Sequence, residues 1–478
     1  VLKNEKKERV LVNTVSGRPL LVRRGCDFVE SFLRKINETT VTDTLLELYP
    51  AQRNLLEMLW RHGVIVDGEA SEEIAAPSLE PRRRSAMSLY LLVAQGCTLD
   101  CIYCSAGRES FAKARRPIMA NDVAQMAVER CLQSLDPDGR LQVVFFGGEP
   151  LLNWPVVKHT IDYWENELRH RYRDRRIHFH LTTNLTQFPS DLIERAKNHD
   201  ITFLVDIDGP AHLHDTLRPF CGGSPSHARI IKNIHRLRGS GIKFELRTTV
   251  TRHNVEHLVE IAAHHKELGS QGTAFVPVTP INSDEVILPS DWYPDPEVFA
   301  AGLKAVYESG LFPPSSVFPI NQYMKKIDAE GAHCISCGAP FLNTPNVTVD
   351  GDVYPCSYWT GIERFKVGNI RDPRVFENAS SLSADLLRRI HIDDDPSCRV
   401  CELKYICGGG CPVNRVSLRT HPKCSEESCR YGKEIVCRPF KSMMSMLIWE
   451  AARRQTEAVV GWTAHLNGEG TAGSQLPC

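Results

Sequence analysis

The chain of 478 residues has little of what would send a protein to a membrane or to a nucleic acid. No run of about 18 apolar residues occurs, so no membrane-spanning helix is expected. Charge of one sign is missing too, since 57 Lys and Arg face 58 Asp and Glu for a formal net charge of -1. That balance gives no global pull toward nucleic acid or anionic lipid, and neither is expected as a partner. The opening stretch from Val1 to Arg9 lacks the apolar core of a secretion signal. We therefore expect a cytoplasmic location, with the proviso that a chain opening on Val can be the remainder of a longer one. What the sequence holds in quantity is cysteine, 17 residues of it. In a reducing compartment, clustered thiols serve as metal ligands rather than disulfides. The length calls for roughly two to four domains.

Three of the thiols stand in Gly96-Cys97-Thr-Leu-Asp-Cys101-Ile-Tyr103-Cys104-Ser105, directly after the apolar run Ser88–Ala94. A C-x3-C-x2-C loop can hold three corners of an iron–sulfur cube and leave the fourth iron open for chemistry on a bound molecule. A structural zinc loop is the competing reading of the same residues. With Tyr103 before its last cysteine, the loop resembles the signature of the radical S-adenosylmethionine (SAM) superfamily. The resemblance implies that the open iron chelates SAM and that one electron releases a 5′-deoxyadenosyl radical. An external donor such as flavodoxin or ferredoxin would supply that electron.

Ahead of the motif, residues 10–22 form two apolar runs around Ser16-Gly17, a hairpin pattern. Helical stretches follow at Cys26 to Asn37 and Tyr49 to His62. Residues 1–66 resemble the winged-helix-like module with which peptide maturases capture a leader by strand addition, although a purely structural extension fits as well. The polar stretch 67–87, with Pro81-Arg-Arg-Arg84, reads as a linker.

From 88 to 277 strands alternate with helices, which predicts a parallel α/β sheet. The strand-like runs are Leu89–Val93, Leu141–Phe146, Ile177–Thr182, Ile201–Ile207, Lys243–Val250 and Thr273–Val276. Each motif falls just past one of the first four strands: the cysteine loop, Gly147-Gly148-Glu149-Pro150, Thr182-Thr183-Asn184 and Asp206-Ile-Asp208-Gly209. Barrel sites are built from such strand ends, so the expected fold is a partial (β/α)6 TIM-like barrel. The Gly-Gly-Glu-Pro element resembles the one that holds the SAM amino group, its glycines letting backbone approach a ligand. Tyr103, Thr183, Asn184 and Asp208 are further candidates for cofactor contact, with Asp208 also a candidate catalytic residue. Arg247 is a candidate fork for the SAM carboxylate, against the alternative of a strand-end ion pair. The histidines at 178, 180, 212, 214, 253 and 257 lack metal-ligand spacing and are expected at the surface or behind the site. The Pro-rich stretch 278–333 reads as a bridge over the open side of the barrel.

The second cysteine field, 334–437, contains Cys334, Cys337, then Gly351-x4-Cys356. Cys398-x2-Cys401-x5-Cys407-x3-Cys411 follows, then Cys424, Cys429 and Cys437. This pattern resembles the SPASM domain, a twin-cluster appendage of radical enzymes that modify peptides, with zinc again the alternative. The resemblance implies one auxiliary cluster on Cys334, Cys337, Cys356 and Cys411. The other would use Cys398, Cys401, Cys407 and Cys429, with Cys424 or Cys437 able to stand in for Cys429. Three 4Fe–4S clusters and SAM are then the expected cofactors. The expected substrate is a ribosomally made peptide or small protein with a leader. Residues 438–478 read as a C-terminal helix and tail. For the reaction, a Cys-sulfur to carbon thioether crosslink is the first expectation. Formylglycine formation, as in sulfatase maturases, is the rival; there the residue after the G-x4-C cysteine is typically acidic, and here it is Ser357. Carbon–carbon crosslinking and a non-enzymatic electron carrier complete the readings.

Overall fold

Period-two burial organises the central sheet. In the computed structural model, strand β4 (Ala86–Ala94) buries Met87, Leu89, Leu91 and Val93 completely, while Ser88, Tyr90 and Leu92 on the opposite face stay half-buried. The first set packs under helix α1 (Asn121–Ser134), whose Val123, Ala124, Ala127, Val128 and Leu132 form one apolar face. Each Val or Leu buried this way contributes roughly 1.5–3 kcal/mol. The second set faces a hollow, where Tyr90 meets the edge of Phe146.

The structure describes residues 84–104, 117–280, 288–328, 336–378, 380–417 and 424–466, together with three short N-terminal strands. Those strands, β1 (Leu2–Lys3), β2 (Arg9–Val12) and β3 (Pro19–Val22), form an antiparallel sheet, and β2 and β3 are the hairpin expected at 10–22. The helical stretches expected at 26–37 and 49–62, the linker to residue 83, Ser105 and Cys334 lie outside the described residues.

All six strands of the alternating region form where the pattern places them. After β4 come β5 (Arg140–Gly147), β6 (Arg176–Thr183), β7 (Thr202–Asp206), β8 (Phe244–Val250) and β9 (Thr273–Pro277), each parallel to the one before. The crossovers run through α1, α2 (Trp154–Tyr163), α3 (Leu192–Asn198), α4 (Ala211–Leu217), α5 (His227–Gly239) and α6 (Leu258–Glu267). The result is a mixed α/β fold on a parallel, partial barrel. The bridge extends it: β10 (Val317–Phe318) adds to β9 as a seventh parallel strand. Helix α7 (Pro296–Ser309) is capped by Asp295, which accepts from the backbone of Glu297 and Val298, and it ends on Gly310 in the left-handed region. Helix α8 (Ile320–Asp328) follows.

The other edge is taken by the cysteine-rich segment. Strand β11 (Asn346–Val347) pairs parallel to β4, and β12 (Asp352–Tyr354) and β13 (Gly368–Asn369) continue the sheet antiparallel. Helix α9 (Ser380–Ile390) and the long α10 (Glu426–Leu466) complete the described chain. Helix α10 corrects the expected boundary at 437, because it begins at Glu426 and runs through Pro439. Cys429 and Cys437 therefore lie on one helix.

Candidate active site

The cysteine loop leaves β4 and is braced from behind. Asp100 and Ile102 donate backbone hydrogen bonds to Pro219 and Leu217, the chain just after α4. Cys97 and Cys101 are buried and Cys104 is half-buried. Burial and then Glu149 push the Cys97 thiol up to about 12. Burial also drives Cys101 well up, against the pull of Arg218. Cys97 senses Cys104, and Cys101 senses both Cys97 and Cys104. Among the described residues no three His, Cys, Asp or Glu side chains are placed to hold a single metal ion. A cube, by contrast, takes its thiolates on separate irons. Three thiols within electrostatic reach of one another, two of them buried, fit that group, whose cationic irons favour the thiolate that burial opposes.

The Gly-Gly-Glu-Pro element sits directly against this loop. Gly148 and Glu149 donate from their backbones to Ala94 and Gly96 at 2.8 and 2.9 Å. A Cβ on Gly147 would strike the Ala94 carbonyl, and one on Gly148 the carbonyls of Gly96 and Gln95. The glycines are thus required for backbone against backbone, in addition to any approach to a ligand. The Glu149 carboxylate is fully buried and accepts from Thr183 Oγ1 (2.6 Å), Leu151 N (3.0 Å) and Asn184 N (2.8 Å). Burial raises its pKa to about 7 despite those three donors. Glu149 and Thr183 therefore tie the second loop to the third strand end. Asn184 does reach the motif, its Nδ2 lying 3.4 Å from Cys97 Sγ.

Asp208 and Arg247 are placed differently from expectation. Asp208 is fully buried and accepts from the Tyr103 hydroxyl and from Thr249 N at 2.9 Å. It is also paired with Arg218 Nε at 3.0 Å. No face remains for a substrate, so the candidate catalytic residue is a buried anchor. Behind it, Asp208 N donates to His214 Nδ1, which leaves Nε2 of this neutral imidazole to donate to Ser226 Oγ. Burial holds that ring well below the ordinary histidine pKa. Arg247 binds Asp206 through both Nε (2.6 Å) and Nη2 (2.8 Å). The fork expected for the SAM carboxylate is used here for the ion pair that was its alternative. The parallel register places Asp206 opposite Arg247 on adjacent strands.

Arg218 is the residue that sequence reading missed. It bridges Asp208 and Asp206 (3.7 Å), sits 5.4 Å from the Tyr103 ring centroid, and is only 5% exposed. Its charge was visible at the end of the stretch that follows Asp208, but nothing in the sequence there fixes where an arginine points. His178 and His180 share the Thr202 hydroxyl at 2.9 and 2.8 Å and hold no metal geometry.

The thiols of the C-terminal segment gather in two places. Cys337, Cys356 and Cys411 are mutually close, and burial and the neighbouring thiols push the Cys356 thiol up. Next to them Tyr358 hydrogen-bonds Thr279 and lies near Arg247 of β8. Cys398, Cys407 and Cys437 are near one another, with Cys401 beside Cys407. Cys429 instead lies against Cys424.

Residues 91–264 match the family described as the Radical SAM superfamily. An uncharacterized protein of Methanocaldococcus jannaschii is 28% identical over 284 residues, 59% of this chain and 88% of that protein. The cysteine-type anaerobic sulfatase-maturating enzyme of Clostridium perfringens is 22% identical over 339 residues, 66% of this chain and 86% of the enzyme. Among solved structures, anSMEcpe with bound AdoMet superposes with a TM-score of 0.62 at 22% identity, covering 76% of this chain and 99% of that one. The chain is an enzyme whose residues 91–264 match that family, similar to maturases in sequence and sharing their fold. A 4Fe–4S cluster and SAM are the cofactors that the match over residues 91–264 implies.

Proposed function

We propose that the chain is a peptide or protein maturase with three 4Fe–4S clusters that oxidises one side chain of its substrate in the barrel hollow. The observation that carries this is the position of two thiol groups on one hollow. Cys97, Cys101 and Cys104 lie at the strand ends, and Cys337, Cys356 and Cys411 lie beyond Arg247 and Tyr358. When bound, SAM and the first cluster supply a radical able to take hydrogen from an unactivated carbon.

The chain's own residues prepare the place. Gly147 and Gly148 set the second loop against the cysteine loop and leave backbone carbonyls for an ammonium group. The Tyr103–Asp208–Arg218 anchor fixes the loop's far end, so that the reacting groups meet in one geometry. Tyr90, Phe146, His180 and Tyr358 wall the hollow, where burial and the neighbouring His178 keep His180 neutral by lowering its pKa to about 4. Cys337, Cys356 and Cys411 would hold a second cluster beside it, which would supply an acceptor for the electron that a substrate radical gives up. Residues 1–66 would hold the leader.

For the product, the sulfatase-maturating relatives favour oxidation of a substrate cysteine or serine to the aldehyde of formylglycine. Ser357, in place of an acid after Cys356, favours the second reading, a thioether between substrate sulfur and carbon. Anaerobically reconstituted enzyme, SAM, a reductant and a Cys-containing peptide distinguish the two. An aldehyde forms a hydrazone, whereas a thioether retains its sulfur, loses two hydrogens and no longer alkylates. Iron near four per chain with no SAM cleavage would overturn the proposal itself.

A further inference from the structure

Helix α8 carries a lysine into the cysteine-rich segment. Lys326, half-buried, donates from Nζ to the carbonyl oxygen of Cys407, and its ammonium lies 6.0 Å from the centroid of the Phe440 ring on α10. Tyr323, one turn before it on α8, meets the edge of the same ring with centroids 5.2 Å apart. Phe440 is itself buried, so the ammonium is held over an apolar wall.

The glycine turn after Cys407 brings both thiol groups to this place. Gly408, Gly409 and Gly410 all hold positive φ and fold the chain back between Cys407 and Cys411. Gly410 O accepts from the hydroxyl of Ser336, the residue before Cys337. Among the described residues, the titratable groups that reach the Lys326 ammonium are Cys407 of one thiol group and Cys337 of the other, with no carboxylate among them. Burial lowers the lysine pKa, and the two thiols draw it back up. A half-buried ammonium costs free energy unless a counter-charge meets it. Neutral thiols offer none, whereas thiolates on iron do, so the thiols and their cation together fit anionic clusters.

We propose that Lys326 is the counter-charge shared by the two auxiliary iron–sulfur clusters and raises the potential at which each takes up an electron. This role presupposes the two-cluster domain proposed above. The potential of such a cluster depends on net charge and on the groups around its sulfurs. Reduction adds a negative charge to a group that its thiolates already make anionic, and a fixed cation beside it favours the reduced form. The effect is larger on the Cys407 side, whose loop the ammonium touches.

The test uses the full-length chain reconstituted anaerobically, with Cys97, Cys101 and Cys104 replaced by Ala so that the auxiliary iron is isolated. Electron paramagnetic resonance follows each cluster while dithionite, with redox mediators, supplies the electrons. A Cys356→Ala version of this parent identifies the signal of the Cys407 side. Lys326→Met keeps the stem over Phe440, Lys326→Gln keeps a donor for the Cys407 carbonyl, and both lose the charge. Each should hold the parent's roughly eight irons. At the parent's midpoint, the reduced-to-oxidised ratio of the Cys407-side cluster should fall about tenfold in both, a shift of about 59 mV to lower potential for one electron. Lys326→Arg, which keeps the charge, should titrate with the parent. Unchanged potentials in loaded Lys326→Met and Lys326→Gln overturn the proposal, as does an equal shift in Lys326→Arg. Iron lost from both neutral variants but retained in Lys326→Arg would make the lysine a brace of the loop alone and overturn it too. A parent without auxiliary iron overturns the two-cluster reading and this role with it, and its iron content tells that failure from the others.

Discussion

Replacing Asp208 with Asn tests whether this carboxylate positions the cysteine loop or reacts. The amide keeps the shape and one oxygen for Thr249 N, but it removes the charge facing Arg218 Nε at 3.0 Å. Arg218, 5% exposed, is then left with Asp206 at 3.7 Å, a carboxylate already engaged in two bonds by Arg247. Removing one partner of a buried ion pair costs about 3–5 kcal/mol. The retained acceptor puts Asp208→Asn near the lower end, about 3 kcal/mol. For a unit of this size, with about 2–4 °C per kcal/mol, the melting temperature should fall by about 6–12 °C. Scanning calorimetry of the apo-protein measures it, with SAM binding and iron content alongside. The double variant Asp208→Asn/Arg218→Met should regain part of the loss, because it removes the orphaned cation. An unchanged melting temperature combined with abolished SAM cleavage and full iron would refute this reasoning and return Asp208 to the reacting groups.

Glu149 gives a pH signature. Its folded pKa of about 7 lies above the ordinary carboxylate value of 4.5, so the fold favours the protonated form. Its contribution is complete below the unfolded value and is lost as pH rises through about 7. Apo-protein stability should fall across that window in the wild type and stay flat in Glu149→Gln, as followed by urea midpoints. Gly148→Ala should fold but lose the first cluster's roughly four irons, since its Cβ must displace the loop at Gly96; iron assay with the auxiliary sites intact checks it. Tyr358→Phe should keep iron and uncoupled SAM cleavage while slowing peptide product about tenfold, the worth of one hydrogen bond. Equal product rates would remove Tyr358 from the proposed substrate chamber.

Much of the fold was legible because its signals are local. Alternation of apolar residues fixed the six strands within a residue or two, and glycine, proline and motif spacing put the chemistry at their ends. The cysteine loop is a sequence-local ligand set, so its three thiols could be read without any tertiary knowledge. The last cysteine misled at the C-terminal end, where it set a boundary at 437 inside what is one helix with Pro439 in it. Tertiary packing of α10 against the cysteine loops outweighs one missing backbone donor.

The sequence by itself determined the residue types: three thiols at one strand end, ten more downstream, and the glycines between them. Only the tertiary structure decided their partners. Arg247 meets Asp206 because two parallel strands pair in that register, and Arg218 reaches Asp208 because α4 turns the chain back over the cysteine loop. Cys437 stands by Cys398 and Cys407 and Cys429 by Cys424, because a helix carries residues eight apart to places about 12 Å apart. Spacing along a chain fixes distance only within one element; between elements, distance is set by packing.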